Sequence, residues 1–187
     1  MNMSKLIVGI SAVLIVVFHG FSVSAWARVD CSTLPHWITL DNNLRMNQKH
    51  LFCGEWDRNR PKGFHSRFGG ANPNTVATFT VQDKANAAGV YTGRWSHQDN
   101  PHKNKFSSMF PDNCSAGQVL NSIAYAIENP APCPEGAPNW THCGANKPDG
   151  AQTDAGVKYC SVDGRLFTIG YAPPKNGRVN TAFPFYQ

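Results

Sequence analysis

Six cysteines, Cys31, Cys53, Cys114, Cys133, Cys143 and Cys160, constrain this chain more than any other feature. All of them follow an N-terminal stretch built like an export signal. Residues 4–25 carry one charge, Lys5, ahead of an apolar run from Leu6 to Val17. Small-x-small sites follow at Val23-Ser24-Ala25 and Ala25-Trp26-Ala27. The run approaches the roughly 20 apolar residues of a membrane span, but His19 and Gly20 interrupt it. A cleaved signal over residues 1–27 is therefore the expectation, with an uncleaved anchor as the alternative. An even number of cysteines in a chain routed to an oxidising compartment predicts three disulfides. Zinc would need close Cys-x-x-Cys or Cys-x-x-His pairs, and none occurs; His142 and Cys143 are adjacent, with no second cluster at ligand spacing. The pairing stays open, Cys133 to Cys143 being attractive because both fall in one loop.

Signal removal takes 27 of the 187 residues and leaves 160, enough for one domain with a real core and too few for two. With 17 Lys and Arg against 12 Asp and Glu, and Lys5 lost with the signal, the remainder is mildly basic. That balance suits a polyanionic partner without selecting one.

The periodicities predict an α+β fold with antiparallel sheet. Leu40, Leu44 and Met46 are spaced as on a short amphipathic helix over residues 40–47, leading to His50. Residues 54–74 are rich in Gly, Pro, Asn and Arg and read as loop with short extended pieces. Thr75–Val81 and Gly89–Trp95 alternate β-branched and aromatic residues and predict two neighbouring strands. Ser115-Ala-Gly-Gln118 is a capping box opening a helix over roughly 115–128, with Val119, Ile123 and Ile127 on one face and Asn129-Pro130 as its stop. Residues 130–155 show no periodicity and read as a disulfide-pinned surface insertion. Asp163-Gly164 between Val157–Val162 and Arg165–Tyr171 predicts a tight hairpin, and residues 178–185 a last strand.

The chemistry points to histidine. Lys62-Gly63-Phe64-His65-Ser66-Arg67 surrounds His65 with a small residue that lets a ligand approach and with cations that attract phosphate. Two imidazoles and an ammonium are what RNA cleavage by transesterification requires. One ring takes the 2′-hydroxyl proton, the other protonates the leaving 5′-oxygen, and the cation offsets the phosphorane charge. Arg58, Arg60, Lys62 and Arg67 form a basic stretch suited to a phosphate backbone. Trp95, Phe106 and Tyr171 are candidates to stack bases, with core packing as the plainer reading of each. Asn139-Trp140-Thr141 matches a glycosylation sequon.

Four blocks in order resemble the bacterial EndoU nuclease family. They are Lys49-His50-Leu51-Phe52-Cys53-Gly54-Glu55, Gly63-Phe64-His65-Ser66, Lys105-Phe106-Ser107-Ser108-Met109-Phe110-Pro111, and Thr181-Ala182-Phe183-Pro184. The fifteen-residue separation of His50 and His65 is similar to that family's histidine pair. The resemblance covers residues 46–187 and leaves 28–45 as a lead-in. It implies an EndoU, RNase A-like arrangement of antiparallel sheets in one disulfide-braced domain, with an N-terminal helix and one long helix. It implies catalytic roles for His50, His65, Lys105 and Thr181, and substrate contacts from Ser107, Ser108, Phe183 and Arg67, with no metal and no cofactor. Which histidine is acid and which base stays open. Departures are Cys114 where the family has an aromatic, Ser108 for threonine and Phe183 for tyrosine, the last removing a phenolic hydroxyl.

The expectation is a secreted, monomeric, metal-independent endoribonuclease that leaves a 2′,3′-cyclic phosphate and acts as a toxin or effector. Its partners would be RNA and a cognate immunity protein, with no membrane contact once the signal is gone. The alternatives are a non-catalytic disulfide-rich binding module on the same fold and a metal-dependent hydrolase.

Overall fold

The computed structural model describes residues 28–150 and 157–187. The signal segment, residues 1–27, lies outside the described residues, as do residues 151–156 of the insertion. The elements run β1 (Trp37–Thr39), β2 (Arg45–Asn47), α1 (Gln48–Phe52), β3 (Glu55–Asp57), β4 (Arg60–Lys62), β5 (Val76–Val81), β6 (Tyr91–His97), β7 (Asn100–Met109), α2 (Ala116–Glu128), β8 (Pro130–Ala131), β9 (His142–Ala145), β10 (Thr168–Tyr171), β11 (Arg178–Val179) and β12 (Ala182–Pro184). The strands form small sheets ordered β1-β2-β11, β12-β10-β9-β8, β3-β4 and β5-β6-β7. All neighbours are antiparallel except β2 and β11. This is the expected α+β class in one unit.

The long helix forms as its start signal requires. The Gln118 amide donates to Ser115 Oγ at 3.3 Å and the Ser115 amide donates to Gln118 Oε1 at 2.8 Å, satisfying two otherwise orphaned donors. Its face of Val119, Leu120, Ile123 and Ala126 is buried in the main core with Phe110, Phe167 and Ile169. Each large apolar side chain buried there stabilises the fold by about 1.5–3 kcal/mol. A second, smaller core of Phe64, Val76, Tyr91, Trp95 and Met109 lies along the β5-β6-β7 sheet.

Four expectations need correction. The helix expected over 40–47 is instead a turn followed by β2, and the helix spans Gln48–Phe52. The spacing of Leu40 and Leu44 comes from a tight turn in which the Leu40 amide donates to the Leu44 carbonyl at 2.8 Å. The hairpin at Asp163-Gly164 keeps only its turn, both residues having φ near +50° to +70°. β10 pairs with β9 and β12 rather than with residues 157–162. The last strand is two, β11 and β12, which belong to different sheets with Asn180 and Thr181 at the break. The insertion at 130–155 is not all surface loop, because β9 lies inside it as an inner strand of its sheet, with Cys143 and Gly144 buried. A Cβ on Gly144 would lie 2.2 Å from the Ala126 carbonyl oxygen, so α2 packs directly on β9 backbone.

Three disulfides are present: Cys31–Cys53, Cys114–Cys160 and the local Cys133–Cys143. The first ties the lead-in to the end of α1, and the second ties the start of α2 to the segment before β10. Among the described residues no helix is long and apolar enough to cross a membrane.

Candidate active site

Two histidines distant in sequence are stitched together through backbone. α1 is short and leaves carbonyls unpaired at its C-terminal end. The Phe64 amide donates to the His50 carbonyl at 2.7 Å and the His65 amide to the Leu51 carbonyl at 2.8 Å. This approach demands Gly63, whose φ is +70° and whose position has no room for a side chain, since a Cβ would fall 2.1 Å from the His50 carbonyl oxygen. On its other side His65 accepts the Phe110 amide at 2.8 Å, which locks it to the end of β7. The two imidazole centroids lie 6.3 Å apart.

The two rings have different partners. His50 Nδ1 is 2.7 Å from Glu55 Oε2, an arrangement in which Nδ1–H donates and Nε2 is left for a ligand. Glu55 is held from behind by Asn47 Nδ2 at 3.3 Å and flanked by His36 at 3.6 Å. Burial pushes the Glu55 carboxyl up, but the hydrogen bond and charge of His50, with Asn47 and His36, outweigh it and keep the group below its ordinary value. Asn47 is also the cap of α1, its Oδ1 accepting the His50 amide at 3.0 Å, so one side chain fixes both the histidine and its carboxylate. His65 Nδ1 is 2.9 Å from the Ser108 carbonyl, which can only accept, so that nitrogen carries the proton and Nε2 is a free base. Burial, then the charges of Lys105 and His50, hold His65 well below the ordinary histidine value against the opposing pull of that carbonyl. The ring stays neutral.

Lys105, on β7, is the cation of the group. Its Nζ donates to the Phe106 carbonyl at 2.9 Å and to Ser107 Oγ at 2.8 Å. An ammonium has three donors, and these bonds leave one for a ligand. Burial lowers its pKa to about 8. His50, His65, Lys105, Ser107, Ser108, Thr181 and Phe183 all line one cleft of about 590 Å³, joined by Arg60, Lys62 and Trp140. No carboxylate belongs to this lining. Thr181 reaches it from the break between β11 and β12, and Phe183 faces His65 with ring centroids 5.7 Å apart. Among the described residues no three His, Cys, Asp or Glu side chains converge to hold a metal ion.

Two of the expected substrate contacts are placed otherwise. Ser107 is buried, its hydroxyl donating to the Gly63 carbonyl at 3.0 Å and accepting from Trp95 Nε1 at 3.1 Å and from Lys105. It positions Lys105 and has no hydrogen left for substrate. Arg67 turns away from the cleft, where it pairs with Asp112 and lies over the Phe79 ring at 4.3 Å. Asp112 accepts from the Tyr91 hydroxyl as well, which makes this a structural network beside the second core. Trp95 and Tyr171 are core residues, whereas Phe106 is 47% exposed and lines the cleft. The sequence reading missed Glu55, Asn47 and Trp140 as site residues. Glu55 was visible in the first motif block as a carboxylate five residues beyond His50.

The family model of the bacterial EndoU nuclease matches residues 44–186. The chain belongs to the bacterial EndoU nuclease family. That match spans α1, β7 and β12, and so takes in every residue of the cleft. No curated protein and no solved structure matches the chain. Membership in this family makes the chain a nuclease, and the histidine cleft is its candidate centre.

Proposed function

We propose that this nuclease cleaves RNA without a metal, using His65 as base, His50 as acid and Lys105 as the transition-state cation. The supporting observation is the difference in hydrogen bonding between the two rings. A neutral His65 with Nδ1–H tied to the Ser108 carbonyl offers the Nε2 lone pair to a ribose 2′-hydroxyl. As that proton moves to Nε2, the 2′-oxygen attacks phosphorus and a phosphorane forms. The Lys105 ammonium offsets its added negative charge inside a half-buried cleft, where such an interaction is stronger than in water. His50, backed by the Glu55 carboxylate, gives the Nε2 proton to the departing 5′-oxygen. The products are a 2′,3′-cyclic phosphate and a 5′-hydroxyl, and no water is consumed. Arg60 extends the positive lining along which a phosphate backbone would run, beside Lys62, which pairs with Asp57.

Thr181 and Ser108 supply the hydroxyls available to phosphate or base, and Phe183 an apolar ring beside His65. Three disulfides suit an oxidising compartment, and with the signal-like N-terminus they support secretion as a toxin or effector. A cognate immunity protein would then protect the producing cell. The test is RNA cleavage in EDTA by the oxidised protein and by His50→Ala and His65→Ala. Each substitution should lower the rate by roughly 10²- to 10⁴-fold with the thermal transition still present. Activity in either variant above about a tenth of the wild type removes that histidine from the reaction. Activity lost in EDTA and restored by a divalent cation favours the metal-dependent reading.

A further inference from the structure

Trp140 belongs to none of the motif blocks. It comes from the insertion, yet its indole lines the same cleft as His50, His65 and Lys105 while remaining 48% exposed. It packs edge-on against Phe183 with ring centroids 6.1 Å apart and planes at 66°, and Phe183 in turn faces His65 at 5.7 Å. A run of rings thus leads from one reacting imidazole to an exposed indole. Phe106, 47% exposed, adds a further ring to the lining.

An exposed tryptophan on a loose loop would mean little, but this one is held in place. The Cys133–Cys143 bridge closes the loop that carries it. The Thr141 amide donates to the Pro138 carbonyl at 2.9 Å, and the Thr141 side chain is buried against Gly170, where a Cβ would lie 2.9 Å from its Cγ2. His142, the next residue, opens β9 opposite Tyr171. Trp140 is therefore presented from the end of an inner strand at a fixed distance from the chemistry. The fold keeps a large apolar surface in water at the rim of a cleft whose lining carries Arg60 and Lys105, with Lys62 paired to Asp57 at its edge.

We propose that Trp140 is a base-stacking residue, its indole taking the face of a nucleobase next to the scissile phosphate and so setting how the strand lies across His50 and His65. The proposal rests on the ribonuclease reading. Cationic lining selects a polyanion, and an exposed ring selects one whose repeating units present flat apolar faces, which is a single-stranded nucleic acid and, under the ribonuclease reading, RNA.

The experiment uses 2′-O-methyl strands holding a single ribonucleotide as the only cleavable site. In companion strands an abasic residue replaces the base at each flanking position in turn. The wild type should cut one of these companions about tenfold more slowly in kcat/KM, within the range for loss of one stacked base. Trp140→Ala should cut the intact strand about tenfold more slowly and that companion no more slowly than the wild type does. Trp140→Phe should stay close to wild type, which separates loss of the ring from loss of fold. Equal losses by Trp140→Ala on intact and abasic strands overturn the proposal. Unchanged cleavage in Trp140→Ala also overturns it and leaves the ring to a protein partner. If the wild type cuts no strand, the ribonuclease reading fails separately. Stacking is then judged by binding of fully 2′-O-methyl strands, where Trp140→Ala must weaken binding of the intact strand and spare the abasic one, and equal binding refutes it.

Discussion

His65 is neutral because burial, the Lys105 charge and the proximity of His50 make its protonated form unfavourable, and this has a consequence for stability. The unfolded chain takes up a proton near the ordinary value of 6.5, while the folded chain does so only well below it. The contribution is thus complete above 6.5, begins to be lost as pH falls below that value, and goes on being lost until the pH has fallen through the lower folded one, at up to roughly 1.4 kcal/mol per pH unit for one group. His97, also held low by burial against the pull of Asp99, adds in the same direction. Urea unfolding of the wild type should show this acid loss, and His65→Gln should show less of it. With His65 as the proposed base, the acid limb of the rate profile should lie below 6.5. Loss of the Lys105 charge brings the alkaline limb in no later than about 8, and a rate still rising beyond that value would contradict its role. Ser107 is tested separately. Ser107→Ala leaves Trp95 Nε1 and the Gly63 carbonyl unpaired and frees Lys105. It should cost about 1–3 kcal/mol in stability and lower kcat more than it raises KM.

At the scale of elements, the places where sequence and structure part have physical causes. α2 was legible to its cap because both halves of the capping box are local, and β5 and β6 because their alternation is strong. β7 was visible only as a motif, since residues 101–104 are all polar or proline and exposed, and burial begins only near Ser107. β9 was invisible because four residues, two of them His142 and Gly144, carry no periodic signal. Its place as an inner strand depends on what Gly144 lacks. Gly144→Ala drives a methyl into the backbone of α2 at Ala126 and should destabilise the protein by about 1–3 kcal/mol, readable as a lowered thermal transition with the disulfides intact. A stability equal to wild type would mean that α2 and β9 are not packed as described. The histidine pair was legible from its motif blocks. The proposed assignment of acid and base was not, because it rests on how each ring is hydrogen-bonded, and the Ser108 carbonyl that holds His65 Nδ1 is backbone, which no side-chain pattern encodes.

The described residues form several small sheets over two separate cores, with α2 in the larger one, and such a fold depends on its ties. Cys31–Cys53 fixes the end of the helix that carries His50, Cys114–Cys160 fixes the start of α2, and Cys133–Cys143 fixes the loop that carries Trp140. The bridges brace both sides of the cleft as well as the core. β7 brings Lys105 and the Ser108 carbonyl to His65 while pairing with β6 along most of its length. The proposed reaction is attack by a neighbouring hydroxyl on phosphorus, with His65 and His50 moving the protons and Lys105 beside them in the one cleft. The most direct test is the chemistry of the product. A strand with one ribonucleotide among 2′-deoxy residues, incubated in EDTA and resolved by mass spectrometry, should be cut only 3′ to that ribonucleotide, giving a 2′,3′-cyclic phosphate and a 5′-hydroxyl. The all-deoxy strand should remain whole. Cleavage of the all-deoxy strand, or ends bearing a 5′-phosphate, would contradict a reaction that begins at the 2′-oxygen.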